Sequence, residues 1–233
     1  MDGDNIEEFP GITVPAGRVQ LIGDLAIPLE RRGVVLFAHG SGSSRLSPRN
    51  RGVARVLNRG GFATLLVDLL TRDEEVIDEA TRELRFDIDL LAKRLVAATD
   101  WLARYPRTER LRIGYFGAST GAAAALVAAA EVPEHVGAVV SRGGRPDLAG
   151  AALERVTAPT LLIVGGEDDV VLALNRQALA RLRCEKQLVI VRGATHLFEE
   201  PGALDAVAKL ARDWFERYLP AEAGEHAPPP QSA

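Results

Sequence analysis

The chain has 233 residues, of which 47% are hydrophobic, so it can bury the core of one full domain. Its formal net charge of -4 provides no electrostatic attraction for nucleic acid or for an anionic membrane. Four scattered histidines and a single cysteine support neither a zinc site nor a disulfide framework, and Cys184 is interpreted as a structural thiol.

The two ends of the chain differ from its middle. Residues 1–8 are acidic and lack the basic and apolar regions of a signal peptide, and no apolar run reaches the length of a membrane span. Residues 220–233 include three consecutive prolines and are predicted to form a disordered tail. We therefore predict a single domain over residues 1–219 and a cytoplasmic location.

Apolar runs typical of strands alternate with longer helical patterns along most of the chain. The predicted strands are residues 12–14, 19–27, 34–38, 62–66, 136–140, 160–164 and 187–191, with another that begins at residue 111. The predicted helices are residues 48–59, 87–105, 172–182 and 202–218, with another that follows residue 121. This alternation predicts an α/β fold: a mainly parallel, doubly wound sheet of about seven or eight strands with helices on both faces, an N-terminal hairpin and no large cap domain.

An acidic segment at residues 73–89 carries eight carboxylates. It follows Thr71, which with Glu74 has the spacing of a helical capping box. A solvated helix face or loop is the simpler interpretation of so many charges, and a substrate or partner site is the alternative.

The most informative pattern is Gly117-Ala-Ser119-Thr-Gly121, which follows an apolar run and precedes an alanine-rich helical pattern. A strand, a sharp turn that carries one serine and then a helix form the context of a nucleophile elbow. Glycines on both sides of the serine permit the close backbone contacts of such a turn. The alternative is an ordinary turn in which Ser119 caps the helix, so the pattern alone leaves both interpretations open.

An activated serine needs a general base and an acid that orients the base, and doubly wound hydrolases supply them in the chain order serine, acid, histidine. Asp168 and His196 each follow a predicted strand, so both are expected at the sheet edge that carries Ser119. The other histidines precede the nucleophile strand, separate a helix from a strand, or lie in the tail. Asp169 remains an alternative to Asp168 because the two are adjacent.

A tetrahedral intermediate also needs two donors that stabilise its oxyanion. The first predicted donor is the backbone N–H of Thr120, directly after the serine. The second is the backbone N–H of Ser41, in the glycine-rich turn His39-Gly-Ser-Gly42 that follows a buried strand. A plain turn is the alternative interpretation of this motif.

Two arginines, Arg142 and Arg145, follow the predicted strand at residues 136–140 and are expected at the same sheet edge. Each is a candidate to bind a carboxylate on the substrate. The alternative is a structural salt bridge with a local acid such as Asp147.

The chain resembles the α/β-hydrolases, and within them the dienelactone-hydrolase-like group. The motifs that carry the resemblance are His39-Gly-Ser-Gly42, Gly117-Ala-Ser-Thr-Gly121, Gly165-Gly-Glu-Asp168 and Gly193-Ala-Thr-His196, and it runs from residue 14 to residue 219. It implies a compact, often lidless hydrolase of esters or lactones that needs no cofactor. Dienelactone hydrolases carry cysteine at the elbow where this chain has Ser119, which favours a carboxylesterase-type reaction over hydrolysis of dienelactone itself.

We therefore predict a serine hydrolase that cleaves a small carboxylic ester or lactone, as a monomer or a homodimer. Two alternatives stay open: acyl transfer from the same acyl-enzyme to an acceptor other than water, and a catalytically silent hydrolase fold that binds a partner. A nucleotide-binding domain is disfavoured, because the chain lacks a Walker motif and no G-x-G-x-x-G follows its first strand.

Overall fold

The computed structural model describes residues 5–220, which form one sheet of eight strands with helices on both sides. The strands are β1 (Ile6–Ala16), β2 (Val19–Pro28), β3 (Gly33–Ala38), β4 (Phe62–Val67), β5 (Ile113–Ala118), β6 (Val136–Arg142), β7 (Thr160–Gly165) and β8 (Lys186–Val191). The helices are α1 (Pro48–Arg59), α2 (Arg72–Thr81), α3 (Ile88–Leu102), α4 (Thr120–Glu131), α5 (Asp169–Arg181) and α6 (Ala203–Tyr218), with 3₁₀ segments at Leu84–Phe86 and Pro146–Arg155. Of the tail predicted to be disordered, residues 220–233, all but residue 220 lie outside the described residues.

The strands are arranged in the order β1-β2-β4-β3-β5-β6-β7-β8. β1 and β2 form an antiparallel hairpin, and β2 is also antiparallel to β4. The remaining neighbouring pairs are all parallel. The prediction of a mainly parallel sheet that begins with a hairpin is therefore confirmed.

Alternate residues of the buried strands face two hydrophobic clusters, one on each side of the sheet. One cluster joins strand residues such as Leu36 and Tyr115 to α3 and α4. The other joins Val35 and Phe116 to α1 and α6. Helices therefore remove apolar surface from water on both faces, as predicted. Among the helices of residues 5–220, none combines the length and the apolar character that crossing a membrane requires.

Helix α4 is buried on nearly every side, because its residues from Thr120 through Ala129 are all buried. The small side chains of its alanines allow it to pack closely against β5 and α3. This packing fixes the turn that precedes the helix, and that turn carries Ser119.

The structure differs from the predicted elements in several regions. β1 is longer than predicted, since it begins at Ile6, and α5 begins three residues earlier than predicted, at Asp169. β6 continues through Arg142, because Ser141 and Arg142 pair with β7, so Arg142 ends a strand instead of lying in the loop. The helix predicted over residues 87–105 ends earlier, at Leu102. The 3₁₀ segment Pro146–Arg155 is absent from the prediction, because Gly150, with a φ of 53°, interrupts its helical backbone and hides the helical period.

Candidate active site

Ser119 lies in the sharp turn between β5 and α4, with a backbone φ of 50° and ψ of -123°. Residues with a side chain rarely adopt this conformation, so the turn holds strain. A Cβ atom on Gly117 would overlap Ala122, and one on Gly121 would overlap the carbonyl oxygen of Ala38. The two glycines therefore permit backbone contacts that a larger residue would prevent.

Ser119 occupies the N-cap position of α4, but its side chain makes no capping hydrogen bond. The interpretation of Ser119 as an ordinary helix cap lacks the contact that defines a cap. Backbone hydrogen bonds hold the turn instead: the Ser119 N–H donates to Arg142 O (3.3 Å), and Ser119 O accepts from the N–H groups of Ala122 (3.1 Å) and Arg145 (3.0 Å). The elbow is thus fastened to the end of β6 and to the loop that follows.

Asp168 and His196 lie side by side on the loops after β7 and β8. The Asp168 Oδ2 atom is 2.7 Å from His196 Nδ1, so the carboxylate accepts a hydrogen bond from Nδ1 and fixes that tautomer of the ring. The side chain of Asp168 is 14% exposed and that of His196 is 39% exposed. Asp169 is exposed to solvent at the start of α5. Of the two adjacent acids, Asp168 is therefore the one that contacts the histidine.

The loop after β6 brings His196 to the elbow. Gly143 follows Arg142, whose carbonyl oxygen binds the Ser119 N–H. A Cβ atom on Gly143 would lie 3.1 Å from His196 O and 3.6 Å from His196 Cε1, so the histidine packs directly against this glycine. Asp168 and His196 are thus in contact on loops that neighbour the elbow, while among residues 5–220 no hydrogen bond joins His196 to Ser119.

The two predicted oxyanion donors, the N–H groups of Thr120 and Ser41, differ in whether they already donate a hydrogen bond in this structure. The Thr120 N–H is at the first position of α4, where a backbone N–H has no acceptor within its own helix. The Ser41 N–H donates to Thr120 Oγ1 at 2.9 Å, which fastens the glycine-rich loop to α4. An oxyanion would share the Ser41 N–H with the Thr120 hydroxyl or displace that hydroxyl.

His39 holds the glycine-rich loop from the other side. The Leu69 N–H donates to His39 Nε2 (3.1 Å), so the ring proton is on Nδ1, which lies 2.9 Å from Gly40 O and donates to it. Burial lowers the pKa of His39, against the opposing effects of Gly40 O and of Asp68, and so favours the neutral ring. The sequence places His39 in the glycine-rich motif and excludes it as the base, but it does not predict this role of the ring. The available signal is the glycine that follows it.

A cavity of about 320 Å³ opens beside the glycine-rich loop and Thr120. Its opposite wall comes from the acidic segment, which contributes Glu75, Asp78 and Glu79. Part of that segment is structural: Thr71 and Glu74 form the predicted capping box of α2. Burial, followed by the charges of Asp68 and Glu79, raises the pKa of Glu75. The acidic segment therefore comprises most of α2, the 3₁₀ turn Leu84–Phe86 and the start of α3, and three of its α2 carboxylates line this cavity.

The structure gives the two candidate arginines different partners. Arg145 donates two hydrogen bonds to Asp147, at 2.9 and 2.8 Å, as in the salt-bridge alternative. Arg142 is only 6% exposed and donates to Asn50 Oδ1 at 3.1 Å, with its guanidinium carbon 6.0 Å from the centre of the Phe198 ring. Within residues 5–220, no carboxylate forms a salt bridge with Arg142.

A larger cavity, of about 830 Å³, lies between residues that precede β3 and β4, such as Arg32 and Gly61, and Arg212 of α6. This position is at the amino ends of the parallel strands. Open α/β sheets bind ligands beyond the carboxyl ends of their strands, where Ser119, Asp168 and His196 lie. We therefore assign the site to the smaller cavity and its surroundings.

A mainly parallel sheet with a serine at a strained strand–turn–helix elbow defines an α/β-hydrolase fold, which within residues 5–220 carries no large cap. Residues 23–220 match the dienelactone hydrolase family, and the chain belongs to that family. The resemblance stated from the sequence motifs is thus confirmed.

Individual relatives agree on the fold and differ in name. The crystal structure of a dienelactone hydrolase from Anabaena variabilis is 64% identical, with a TM-score of 0.90 over 92% of this chain and 99% of that chain. Est1E from Butyrivibrio proteoclasticus is 16% identical, with a TM-score of 0.76 over 91% of this chain and 99% of that chain, and shares the fold. A Mycobacterium tuberculosis protein named "Putative phosphoribosyl transferase" is 61% identical over 208 residues, which are 89% of this chain and 46% of that protein. The chain therefore spans about half the length of that mycobacterial relative.

Proposed function

We propose that the protein hydrolyses a carboxylic ester or lactone through an acyl-enzyme on Ser119. The observation that carries this proposal is the hydrogen bond of 2.7 Å between Asp168 and His196, on loops beside the strained elbow of Ser119. A histidine that a carboxylate orients, next to a serine on such a turn, is the arrangement that activates a serine hydroxyl. Membership of a hydrolase family supports the same chemistry.

In the proposed mechanism, His196 Nε2 removes the proton of the Ser119 hydroxyl while the oxygen attacks the ester carbonyl carbon. Asp168 holds the ring in the Nδ1–H tautomer and stabilises the positive charge that the ring gains. His196 then protonates the leaving alcohol, which departs and leaves the acyl-enzyme. In the second half, His196 takes a proton from water as the water attacks the acyl carbon. His196 then returns that proton to the Ser119 oxygen as the bond between this oxygen and the acyl carbon breaks, which releases the acid and restores the free enzyme.

The N–H groups of Thr120 and Ser41 stabilise the oxyanion in this proposal. The N-terminus of α4 adds its positive dipole at the same position. The His39 ring binds Gly40 O, and the carbonyl and the N–H of one peptide point in opposite directions. This contact therefore directs the Ser41 N–H toward α4 and the elbow.

The cavity of about 320 Å³ beside Ser41 and Thr120 supports a small molecule as substrate. We extend the proposal to a cytoplasmic monomer or homodimer that uses no cofactor and has neither nucleic acid nor membrane as a partner. These properties rest on the sequence and on the family resemblance.

The name of the mycobacterial relative suggests another activity, phosphoribosyl transfer. The match covers 46% of that protein, so more than half of it lies outside the match. We propose that the transferase name refers to this remaining part, because the matched part has a hydrolase fold and a serine elbow. This proposal predicts that the present chain transfers no phosphoribosyl group in a direct assay, and transfer at a turnover rate typical of enzymes would contradict it.

The experiment for the main proposal compares wild type and Ser119→Ala on 4-nitrophenyl acetate. We expect kcat to fall by about 1,000-fold or more, because the nucleophile is lost while the other binding groups remain. Circular dichroism and the melting temperature establish that the variant is folded. Turnover of the variant within tenfold of wild type would contradict the assignment.

The same assay addresses the acyl-transfer alternative. Methanol or a primary amine is added as a second acceptor, and the products are separated by mass spectrometry. Hydrolysis predicts the free acid as the main product, whereas a dominant ester or amide of the added acceptor would identify a transferase.

A further inference from the structure

Arg142 is a buried cation whose charge is not balanced. Its side chain is 6% exposed, its Nε atom has no hydrogen-bond partner, and its hydrogen bond to Asn50 reaches a neutral amide. Burial, followed by the charge of Arg49, lowers the pKa of Arg142 to about 10, so the guanidinium still carries its charge at neutral pH. An isolated charge in a desolvated position costs free energy unless an opposite charge joins it.

Other arginines near this sheet edge have acidic partners. The pairs are Arg45 with Asp68, Arg85 with Asp78, Arg94 with Glu74, and Arg145 with Asp147. Arg49, which adds to the positive potential at Arg142, is itself paired with Glu199. Among the described arginines of the site, Arg142 is thus set apart by being both buried and without a carboxylate.

The start of α1 adds a second source of positive potential at the same place. Asn50, which accepts the hydrogen bond from Arg142, is the third residue of that helix. The first turn of α1 contains no acidic residue, and its cap is the neutral hydroxyl of Ser47, which accepts the Asn50 N–H, so no residue of this turn carries a negative charge. The guanidinium and the helix end therefore favour an anion at one position.

This position adjoins the proposed reaction centre. The carbonyl oxygen of Arg142 accepts the Ser119 N–H, and its guanidinium lies against Phe198, two residues after His196. The backbone of Arg142 thus contacts the elbow, and its side chain contacts the segment that carries His196.

We propose that Arg142 and the start of α1 form an oxyanion-binding subsite that holds a carboxylate or phosphate group of the substrate. This proposal rests on the proposed function, because it specifies that the ester attacked by Ser119 carries a carboxylate or phosphate group. Arg145 has no part in it, because Asp147 already neutralises its charge. A fork of N–H donors that carry positive charge matches the paired oxygens of a carboxylate or a phosphate.

The kinetic test uses two esters of equal acyl length, 4-nitrophenyl valerate and mono-4-nitrophenyl glutarate, which differ in a terminal methyl or carboxylate. We expect Arg142→Met to lower kcat/KM for the glutarate ester by about 10- to 100-fold and for the valerate ester by less than about threefold. Arg145→Met is the matched control and is expected to change both values by less than about threefold. Equal losses on the two esters in Arg142→Met would show a structural role and overturn the proposal.

A binding test keeps the inference separate from the proposed catalysis. The melting temperature of Ser119→Ala is measured with increasing sodium glutarate or sodium phosphate, against sodium chloride of equal ionic strength. A saturable rise beyond the chloride control supports the subsite, and the anion that produces it distinguishes a carboxylate from a phosphate ligand. The rise is expected to disappear when Arg142→Met is added.

The kinetic test and the binding test do not depend on each other, so each can give a result when the other cannot be carried out. Should Arg142→Met not fold, the titration of Ser119→Ala alone decides, and no saturable rise with either anion overturns the proposal. Should wild type show no ester turnover, the proposed function fails while the titration still measures anion binding.

Discussion

Buried charged side chains near α2 and near the start of α1, called here the α2 side and the α1 side of Ser119, differ in whether they have a partner of opposite charge. On the α2 side, Asp78 accepts hydrogen bonds from both the backbone and the guanidinium of Arg85, so each charge has its partner. On the α1 side, Arg142 is buried against Asn50 and Phe198 without any acid of residues 5–220 in a salt bridge.

This difference separates charges paired within the fold from the charge that we propose binds an anionic substrate group. A buried ion pair is expensive to break, because each partner is left desolvated. A buried cation without a charged partner gains free energy when an anion binds to it. The comparison can be tested one side at a time.

The largest effect is expected at Asp168, whose charge is paired with the proposed base. Asp168→Asn should lower kcat by about 1,000- to 10,000-fold, because His196 loses the carboxylate that fixes its tautomer and stabilises its charge. Steady-state hydrolysis of 4-nitrophenyl acetate measures this loss. Asp169→Asn, one position along and exposed, is the matched control and should stay within about twofold of wild type. A reversed order of the two variants would contradict the assignment of the acid.

The next effect is a loss of stability on the α2 side. Asp78→Asn should lower the free energy of unfolding by about 2 kcal/mol, because Arg85 loses its charged partner and is itself partly able to regain water. The melting temperature, measured by differential scanning fluorimetry, should fall by about 6 °C. Glu79→Gln, exposed on the same helix, serves as control. A fall no larger than that of the control would show that the pair does not hold this side together.

A smaller effect is expected at Thr120, between the two sides. Thr120→Val removes the hydroxyl that accepts the Ser41 N–H, so the glycine-rich loop loses its contact with α4. We expect kcat to fall about tenfold with little change in KM, because the loss concerns the oxyanion donors and not ground-state binding. Thr120→Ser keeps the hydroxyl and should retain most of the activity. Similar losses in both variants would assign the effect to packing of the Thr120 methyl group.

The smallest effect is expected for the stability of Arg142→Met in the absence of any added anion. Removal of a desolvated charge stabilises the fold, while Asn50 loses its donor, and the two effects oppose each other. The melting temperature should therefore remain within about 4 °C of wild type, equivalent to about 1 kcal/mol. A loss as large as that of Asp78→Asn would show that both sides of Ser119 use their charges for the fold.

The sequence predicts the elements of this site better than it predicts their contacts. The elbow at Ser119 is predictable, because the two flanking glycines and the strand and helix patterns are local signals. The choice between Asp168 and Asp169 needs the structure, because the sequence does not show which of two adjacent side chains points toward His196. The bond from the Ser41 N–H to Thr120 joins segments that are 79 residues apart, and no local pattern encodes it.

The same limit applies to the two arginines. Arg142 and Arg145 are close in sequence, and either one was a candidate for Asp147. The continuation of β6 through Arg142 turns its side chain toward α1, whereas Arg145 lies in the following loop next to Asp147. The burial and the partner of Arg142 therefore follow from the length of β6. The hydrophobic pattern predicts a strand that ends at residue 140, because the last two residues of β6, Ser141 and Arg142, are polar.

The most direct test of the central claim is covalent labelling by a fluorophosphonate probe, followed by mass spectrometry of the intact chain and of its peptides. We expect a single adduct on Ser119 in wild type, none in Ser119→Ala, and much slower labelling in Asp168→Asn. An adduct on another residue, or undiminished labelling of Ser119→Ala, would contradict the identification of Ser119 as the nucleophile.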